Sequence, residues 1–589
     1  MSSCIPIFYA CDDSFVKYTI VSIQSMIANS SAQEHYHIYI LNTNICPTMR
    51  QRVLELKNAN FDIEFVDVSG YLHDIHDKLP LRDYYSLTTY FRLFIAEMFP
   101  QYDKAIYIDS DTVVLDDIAK LYHHELGDNY VGAAVDQVMV QMDVFGRYAE
   151  QVVGIDRNRF FNAGLLLLNC RQFRENHLLE RFADLLRVYN FVVTQDEDYL
   201  NVLCQGKVLW LDPRWNTLVI GEIPFTDYKI LHYNMVSKPW HYPDCRLKEY
   251  FWQYAEQTAV YDEICATLNA YTDEQRRKDA LSGERLKQTA QREIDREDNY
   301  YKLLTAGKLK SPDRLRVLEK IARLEQAGCF DQDVEEDPPT RELKPEDIDY
   351  LRTKLSSKLK TRCSFAIARV YLNKMLRSRQ IILKEIKGLE HYQNLRSGAI
   401  ITCNHFNAND SFAMQMVYEA SGQKSRKFYR VIREGNYTNF PGFYGILMRN
   451  CNTLPLSSNA KTMQKFTRAV DKALQDGHFV LFYPEQSMWW NYRKPKPLKK
   501  GAYTFAVRDR VPVLPCFITM QDSDVLDENG FYVQEYTVHI SAPIYPDPTL
   551  SRSENVQLLQ QKNADAWKEI YEQTYHEPLT YANKKDALA

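Results

Sequence analysis

The chain has 589 residues, of which 45% are hydrophobic and 25% charged, the balance of a folded globular protein with room for two to four domains. A net charge of −5 selects no charged partner and excludes none. The twelve cysteines stand singly, without a C-x-x-C pair or a zinc-finger spacing, so they read as free thiols of a reducing compartment.

The first residues, MSSCIPIFYACDDSF, lack a basic segment followed by an apolar core, so no signal peptide is expected. No apolar run reaches the length of about 18 residues that a membrane-spanning helix needs. A strand is predicted at IPIFYA, a helix at VKYTIVSIQSMIAN, a strand at YHIYIL, a helix at PTMRQRVLELKN and a strand at FDIEFVDV. A helix at TTYFRLFIAEMF leads into the strand AIYI. Strands alternating with helices imply α/β architecture with a mostly parallel sheet covered on both faces.

From about residue 271 to 342 the chain changes character. TDEQRRKDALSGERLKQTAQREIDREDNYYKLL reads as exposed charged helix, and DQDVEEDPPTRELKPED as a linker. The stretch 351–387 then carries eleven basic residues against one acid, Glu385, with Phe365, Ile367, Val370, Tyr371, Leu372 and Met375 interleaved. That pattern suits an anionic membrane surface; an internal packing helix and, last, a nucleic-acid patch are the alternatives. After Gly388 strand–helix alternation resumes at GAIITCNH, FVLFYPE and VPVLPCFITM.

AIYIDSDTVVL, 105–115, sets two acids inside an apolar stretch. Burying two ionised carboxylates costs several kcal/mol each unless compensated. A divalent cation compensates, and the carboxyl end of a strand in an open sheet is where ligands bind. A bare acidic turn is the simpler alternative.

Six ordered motifs resemble the family 8 glycosyltransferases, retaining galactosyl- and glucosyltransferases of the glycogenin type: FYACDDSF, TTYFRL, YIDSDTVV, FFNAGLLLLN, TQDEDYLN and LHYNMVSKPWH. The resemblance covers about residues 5–255 and implies a GT-A type nucleotide-sugar domain. It implies that Asp109, Asp111 and His232 hold Mn²⁺, or Mg²⁺ in its place, on the diphosphate of a UDP-sugar. Lys238 would contact the diphosphate, Ala10 and Asp12 the uridine, and Ser110 the ribose. Arg92, Asn162, Ala163, Asp196 and Glu197 would hold the sugar, with Asp196 preferred over Asp198. Taken singly, His232 reads as a surface or core histidine, Arg92 as half of a salt bridge, and residues 196–198 as a helix N-cap run. One departure stands out: Met235 occupies a position where the family usually has glycine.

ITCNHFNANDSF puts His405 and Asp410 five residues apart, which suits a loop entering a helix. Asp410 can then orient His405 as a general base; the alternative is a helix cap beside an incidental histidine. NHFNAND, REGNYTNFPGFYGILMRNCNTLPL, LFYPEQSMW and VPVLPCFI resemble the four motifs of PlsC-like glycerolipid (lysophospholipid) acyltransferases, over about 384–547. The resemblance implies His405 as base, Asp410 as its orienter, Glu485 as an acceptor-positioning residue and Arg449 as an anion contact. It implies acyl-CoA or acyl-carrier protein as donor. The family's third motif normally ends Gly-Thr-Arg, and here Gln486, Ser487 and Met488 follow Glu485. Arg493, Lys494 and Lys496 are positioned to replace the missing arginine; otherwise the acceptor is a sugar or glycolipid hydroxyl.

The expected organisation is a glycosyltransferase-like domain over 1–265, a charged helical linker over 266–345, and an α/β acyltransferase-like domain over 346–589 with a basic amphipathic entry segment. The expected protein is a bifunctional transferase of cell-envelope glycolipid or glycan synthesis, acting on a glycan or lipid acceptor at the inner face of the cell membrane, with no nucleic-acid partner. The alternative is a membrane-targeted glycosyltransferase whose C-terminal half only docks.

Overall fold

IPIFYA places Ile7 and Tyr9 on one face of a strand and Phe8 and Ala10 on the other. In the computed structural model, which describes residues 4–72, 87–335 and 340–582, this stretch is strand β1 (Ile5–Ala10). Its two faces feed two separate apolar clusters, one on each side of a sheet. The chain forms two compact units, Met1–Pro312 and Asp313–Ala589.

In the first unit β1 is joined by β2 (Tyr36–Asn42), β3 (Phe61–Asp67), β4 (Ala105–Ile108), β6 (Val131–Ala133), β7 (Leu165–Leu168) and β8 (Val208–Trp210). The order is β3-β2-β1-β4-β7-β6-β8. All run parallel except β7, which is antiparallel to both neighbours. This is the mostly parallel, doubly covered sheet that the alternation implies. β5 (Thr112–Val114), β9 (Thr217–Leu218) and β10 (Ile230–His232) form a second sheet in the order β5-β10-β9. The three residues Asp109, Ser110 and Asp111 therefore carry the chain from one sheet to the other.

The TTYFRLFIAEMF helix begins as a 3₁₀ segment, Leu87–Phe94, and turns α-helical only over Ile95–Met98. β-branched and aromatic residues are weak helix formers, and here Tyr90, Phe91 and Arg92 are all buried.

The boundary between the units falls inside 266–345. The helix Asp273–Asp295 is charged outward, but Ser282, Leu286, Ala290, Glu293 and Ile294 recur at helical spacing and are buried. Leu286, Ala290 and Ile294 join the first unit's core. Ile321, Leu324 and Val334 instead pack on Trp489 of the second unit. Residues 336–339 of the DQDVEEDPP stretch lie outside the described residues.

The second unit holds β11 (Ile382–Lys387), β12 (Ala399–Thr402), β13 (Phe428–Ile432), β14 (Thr453–Pro455), β15 (Phe479–Phe482), β16 (Val513–Leu526) and β17 (Tyr532–Ile540). Their order is β11-β17-β16-β12-β15-β13-β14. β16 and β17 pair antiparallel, and every other neighbouring pair is parallel. Apolar clusters cover both faces. The basic stretch forms the helix Leu355–Arg377, which buries Ser364, Leu372 and Met375.

Because Leu286 belongs to the first unit's core, Leu286→Ala should lower stability by about 2–3 kcal/mol. Lys287→Ala, at a half-exposed position paired only with Glu284 at the surface, should stay within about 0.5 kcal/mol of the parent. Urea unfolding compares them; equal midpoints would show that this helix is peripheral.

Candidate functional sites

β4 ends at Ile108, and the backbone N–H of Asp109 donates to Gly164 O at 2.8 Å just before β7. The segment is then fixed from behind by helix Val16–Asn29. Thr19, Ser22 and Ser25 lie three residues apart on one buried face of that helix. Thr19 Oγ1 donates to Ser110 Oγ at 2.8 Å, Ser22 Oγ bonds Thr112 Oγ1 at 2.8 Å, and Val114 N–H donates to Ser25 Oγ at 2.9 Å. Three hydroxyls inside the apolar helix TIVSIQS thus register the acidic segment.

Register also brings in the histidine. His232 ends β10 opposite Thr112, and its Nε2 lies 3.2 Å from Asp111 Oδ1 and 3.8 Å from Asp109 Oδ2. One ligand atom from each of Asp109, Asp111 and His232 falls within 4.8 Å of the others. Two carboxylate oxygens and one imidazole are a donor set for a hard or borderline divalent cation. Two further observations fit that occupant. Asn216 Oδ1 lies 3.0 Å from His232 Nδ1, and Asn216 Nδ2 donates to Asn162 Oδ1 at 2.9 Å. Asn216 therefore acts as acceptor, which keeps a proton on Nδ1 and presents Nε2 to the carboxylates, where a bound ion would take its lone pair in place of a proton. At Gly164, a Cβ would stand 2.2 Å from His232 Cε1 and 2.7 Å from Asp109 Oδ2, so only glycine leaves the cluster its space.

The electrostatics are steep. Burial would raise the Asp111 carboxyl, but Lys238 and His232 outweigh it and hold Asp111 well below the usual carboxylate range. Lys238 Nζ donates to Asp111 Oδ2 and to the carbonyl of Tyr233. Asp109 Oδ1 accepts from Tyr107 Oη at 2.7 Å and from Arg92 at 3.1 Å. Buried Arg92 also pairs with Asp196 at 3.1 Å and donates to the carbonyl of Ala163. Burial pushes Asp196 up to about 7 against the pull of Arg92, and raises Glu197 well above its ordinary value. Glu197 Oε2 accepts from Ala163 N–H at 2.8 Å and Asn162 Nδ2 at 3.2 Å. Asp198 faces away, bonded to Tyr148 and Thr194.

A cleft of about 450 Å³ collects Ala10, Asp12, Arg92, Asp109, Ser110, Asp111, Asn162, Asp196, Glu197, His232 and Lys238 in its lining. The main chain of Ala163 bonds two of these lining residues, its O accepting from Arg92 and its N–H donating to Glu197. Met235 lines it too, with φ at +62°, so the methionine holds the left-handed backbone that favours glycine, at a cost of about 1–2 kcal/mol. Gly164, Asn216 and the Thr19/Ser22/Ser25 face were not singled out from sequence. Gly164 lies within FFNAGLLLLN, and the others have no signal until the sheets are assembled.

In the second unit β12 ends at Thr402 and His405 follows on a loop. Asn404 pins that loop to β16, its Oδ1 accepting from Ile518 N–H at 2.8 Å and its Nδ2 donating to Ile518 O at 3.0 Å. Asp410 opens the helix Asp410–Ala420. Its Oδ2 lies 2.6 Å from His405 Nδ1, and its Oδ1 accepts from Tyr483 Oη at 2.8 Å. The Tyr483 ring stacks on the imidazole at 4.2 Å. A buried aspartate on Nδ1 fixes the tautomer and leaves Nε2 to take a proton.

Glu485 is only 2% exposed. Its oxygens accept from His405 N–H at 3.0 Å and Lys496 N–H at 2.8 Å. Its carboxylate is thus engaged by main chain, bracing the histidine loop. Arg449 donates to Phe440 O at 3.2 Å and Tyr437 O at 3.4 Å, inside its own segment. Arg493 pairs with Asp522 at 2.7 Å. It is Arg433 that reaches the Glu485 loop, donating to Gln486 O at 2.8 Å.

Residues 6–244 match the family model for glycosyl transferase family 8, and residues 384–519 match that for acyltransferases. A putative glycosyltransferase of Haemophilus influenzae is 28% identical over 249 residues, covering 40% of this chain and 72% of that protein. The lipopolysaccharide 1,2-glucosyltransferase of Escherichia coli K12 is 26% identical over 262 residues, covering 41% and 74%. The galactosyltransferase LgtC, crystallised with donor and acceptor sugar analogs, is 27% identical and covers 45% of this chain and all of its own (100%), with a TM-score of 0.38.

If the cluster holds a divalent ion, Asn216→Ala should weaken Mn²⁺ or Mg²⁺ binding about tenfold or more. Gly164→Ala should weaken it at least as much as His232→Ala does. Calorimetric titration reads this directly, and unchanged affinity in both Gly164→Ala and Asn216→Ala would remove the cluster from consideration.

Proposed function

We propose that this chain, with a family 8 glycosyltransferase domain before an acyltransferase domain, carries two working transfer sites for one cell-envelope glycolipid or glycan product. The observation that supports it is that each unit holds a complete constellation of its own: the Asp109/Asp111/His232 cluster in one and the His405/Asp410 pair in the other.

In the first unit the donor is a UDP-sugar and the ion Mn²⁺, with Mg²⁺ as substitute. Asp109, Asp111 and His232 would hold the ion, which when bound supplies positive charge to the diphosphate. Lys238, now on Asp111, adds a second cation for the departing UDP. Ala10, Asp12 and Ser110 line the same cleft and would contact the nucleoside. Arg92, Asn162, Ala163, Asp196 and Glu197 give the sugar hydroxyls a mixed donor–acceptor wall. Transfer with retention follows from the family.

In the second unit the donor is acyl-CoA or acyl-carrier protein. Asp410 and Tyr483 orient His405, whose Nε2 takes the proton of the attacking hydroxyl. Glu485 acts through the backbone of His405, as a positioning residue.

The helix Leu355–Arg377 supports docking on an anionic membrane. Leu355, Leu359, Ile367 and Val370 are exposed beside Lys358, Arg362 and Arg369, an apolar face with basic flanks. Among the described residues no helix is long and apolar enough to cross a membrane. The envelope setting draws on the lipopolysaccharide glucosyltransferase among the relatives.

The test mixes the full chain with Mn²⁺, UDP-sugars, acyl-CoAs and a membrane-lipid extract, read by mass spectrometry. Asp111→Asn should abolish UDP release and spare CoA release, and His405→Ala the reverse, each by about a hundredfold or more. CoA release that ignores His405 would reduce the second unit to a docking module.

A further inference from the structure

Four cations of the Glu485 loop, Arg493, Lys494, Lys496 and Lys499, precede Lys500, which is exposed and caps the next helix. Arg433 is a fifth, through its bond to Gln486 O. A phosphate-bearing acceptor binds best where a cation beside the reacting hydroxyl is not already met by a carboxylate; Arg449 directs its donors to the carbonyls of Tyr437 and Phe440. Each of the five is met from within the unit. Arg493 pairs with Asp522 at 2.7 Å, Lys494 with Glu325 at 2.7 Å, Lys496 with Glu485 at 3.6 Å and Lys499 with Asp331 at 3.6 Å. Arg433 makes a bidentate pair with Asp333, both bonds 2.7 Å.

Three of those carboxylates, Glu325, Asp331 and Asp333, come from one short stretch that is held by more than charge. Phe330 stacks on Trp489 with centroids 5.5 Å apart. Phe330 O accepts from Ser487 Oγ at 2.6 Å, and Gln332 O from Trp489 Nε1 at 2.8 Å. Val334, Ile321 and Leu324 bury with Trp489. The loop in turn touches the histidine segment, Asn491 N–H donating to Phe406 O at 3.0 Å. Magnitudes decide which pair matters. Exposed pairs such as Lys499–Asp331 contribute about 0–1 kcal/mol and yield readily. The Arg433–Asp333 pair is itself 38% exposed on each side, but it is bidentate and its aspartate is anchored through Phe330 and Val334 to buried Trp489, so a second anion at Arg433 meets a held like charge.

We infer that the acyl acceptor is a neutral hydroxyl compound, a sugar or glycolipid headgroup with no phosphate beside the reacting hydroxyl, and that Asp333 on Arg433 is the residue that excludes phosphate-bearing acceptors. This rests on reading the unit as an acyltransferase. In the step itself the hydroxyl proton passes to His405 Nε2, its oxygen forms the ester bond, and the thioester C–S bond breaks. The thiolate leaves and takes the proton, so nothing is oxidised or reduced.

The test uses the full chain with acyl-CoA and either an alkyl glucoside or glycerol 3-phosphate, with CoA release as one readout. Calorimetric binding of glycerol 3-phosphate, which needs no turnover, is the other. The wild type should release CoA with the glucoside, dependent on His405, and show no binding of glycerol 3-phosphate. Asp333→Asn should gain glycerol 3-phosphate affinity by about tenfold or more, and Asp331→Asn, on the exposed pair, should not. Wild-type binding of glycerol 3-phosphate that is lost in Arg433→Ala would overturn the inference, as would an Asp333→Asn protein of parental melting temperature that gains nothing. CoA release with no acceptor, with or without His405, would overturn the acyltransferase reading instead, and the binding arm would still rule on phosphate exclusion.

Discussion

Asp109 and Asp111 follow directly on the buried apolar strand β4, where two like charges stand side by side at the wall of a cleft. Most of what surrounds them answers that problem. Lys238 and His232 meet Asp111, while Arg92 and Tyr107 meet Asp109. The break from β4 into a second sheet makes the arrangement possible. It ends β4 at Ile108 and starts new pairing at Thr112, so the two acids fall among the three residues between those strands. Asn216 then sets the imidazole tautomer and Gly164 leaves the gap. These are costs that a structure carries only where the gap is to be filled, since the same positions could hold apolar residues at less expense.

The second unit solves the opposite problem. There the cations of the Glu485 loop and Arg433 stand on carboxylates of the same unit, and His405 is held in one tautomer by Asp410, itself held by Tyr483. Charge accounting thus separates the two sites. One is left with donor atoms that converge on a point and call for a cation. The other is left with an oriented imidazole among paired charges.

The parallel strands and the helix Val16–Asn29 were legible because period two and period 3.6 differ sharply over such lengths, and because both sheet faces are covered. The acidic pair and the His405/Asp410 spacing were legible because each is local in sequence. What was hidden is long-range. Asn216 approaches His232 only through the pairing of β9 with β10. The hydroxyls at 19, 22 and 25 look like ordinary polar relief in an amphipathic helix until the register of β5 is known. Arg449, Glu485 and Arg493 show the converse: residue type suggested ligand contact, but their charges are committed within the fold, to carbonyls, to amides and to Asp522. The acidic stretch around 331–333 read as a linker because charge density and prolines usually mark solvent. Phe330 and Val334 were the signal against that, two apolar residues that would have no reason to stand in a free linker.

On the proposal that the second site takes neutral hydroxyls, the two domains share a chemistry as well as a chain. Transfer of a hexose consumes one hydroxyl and leaves several, all uncharged. The product of the first reaction therefore belongs to the acceptor class of the second.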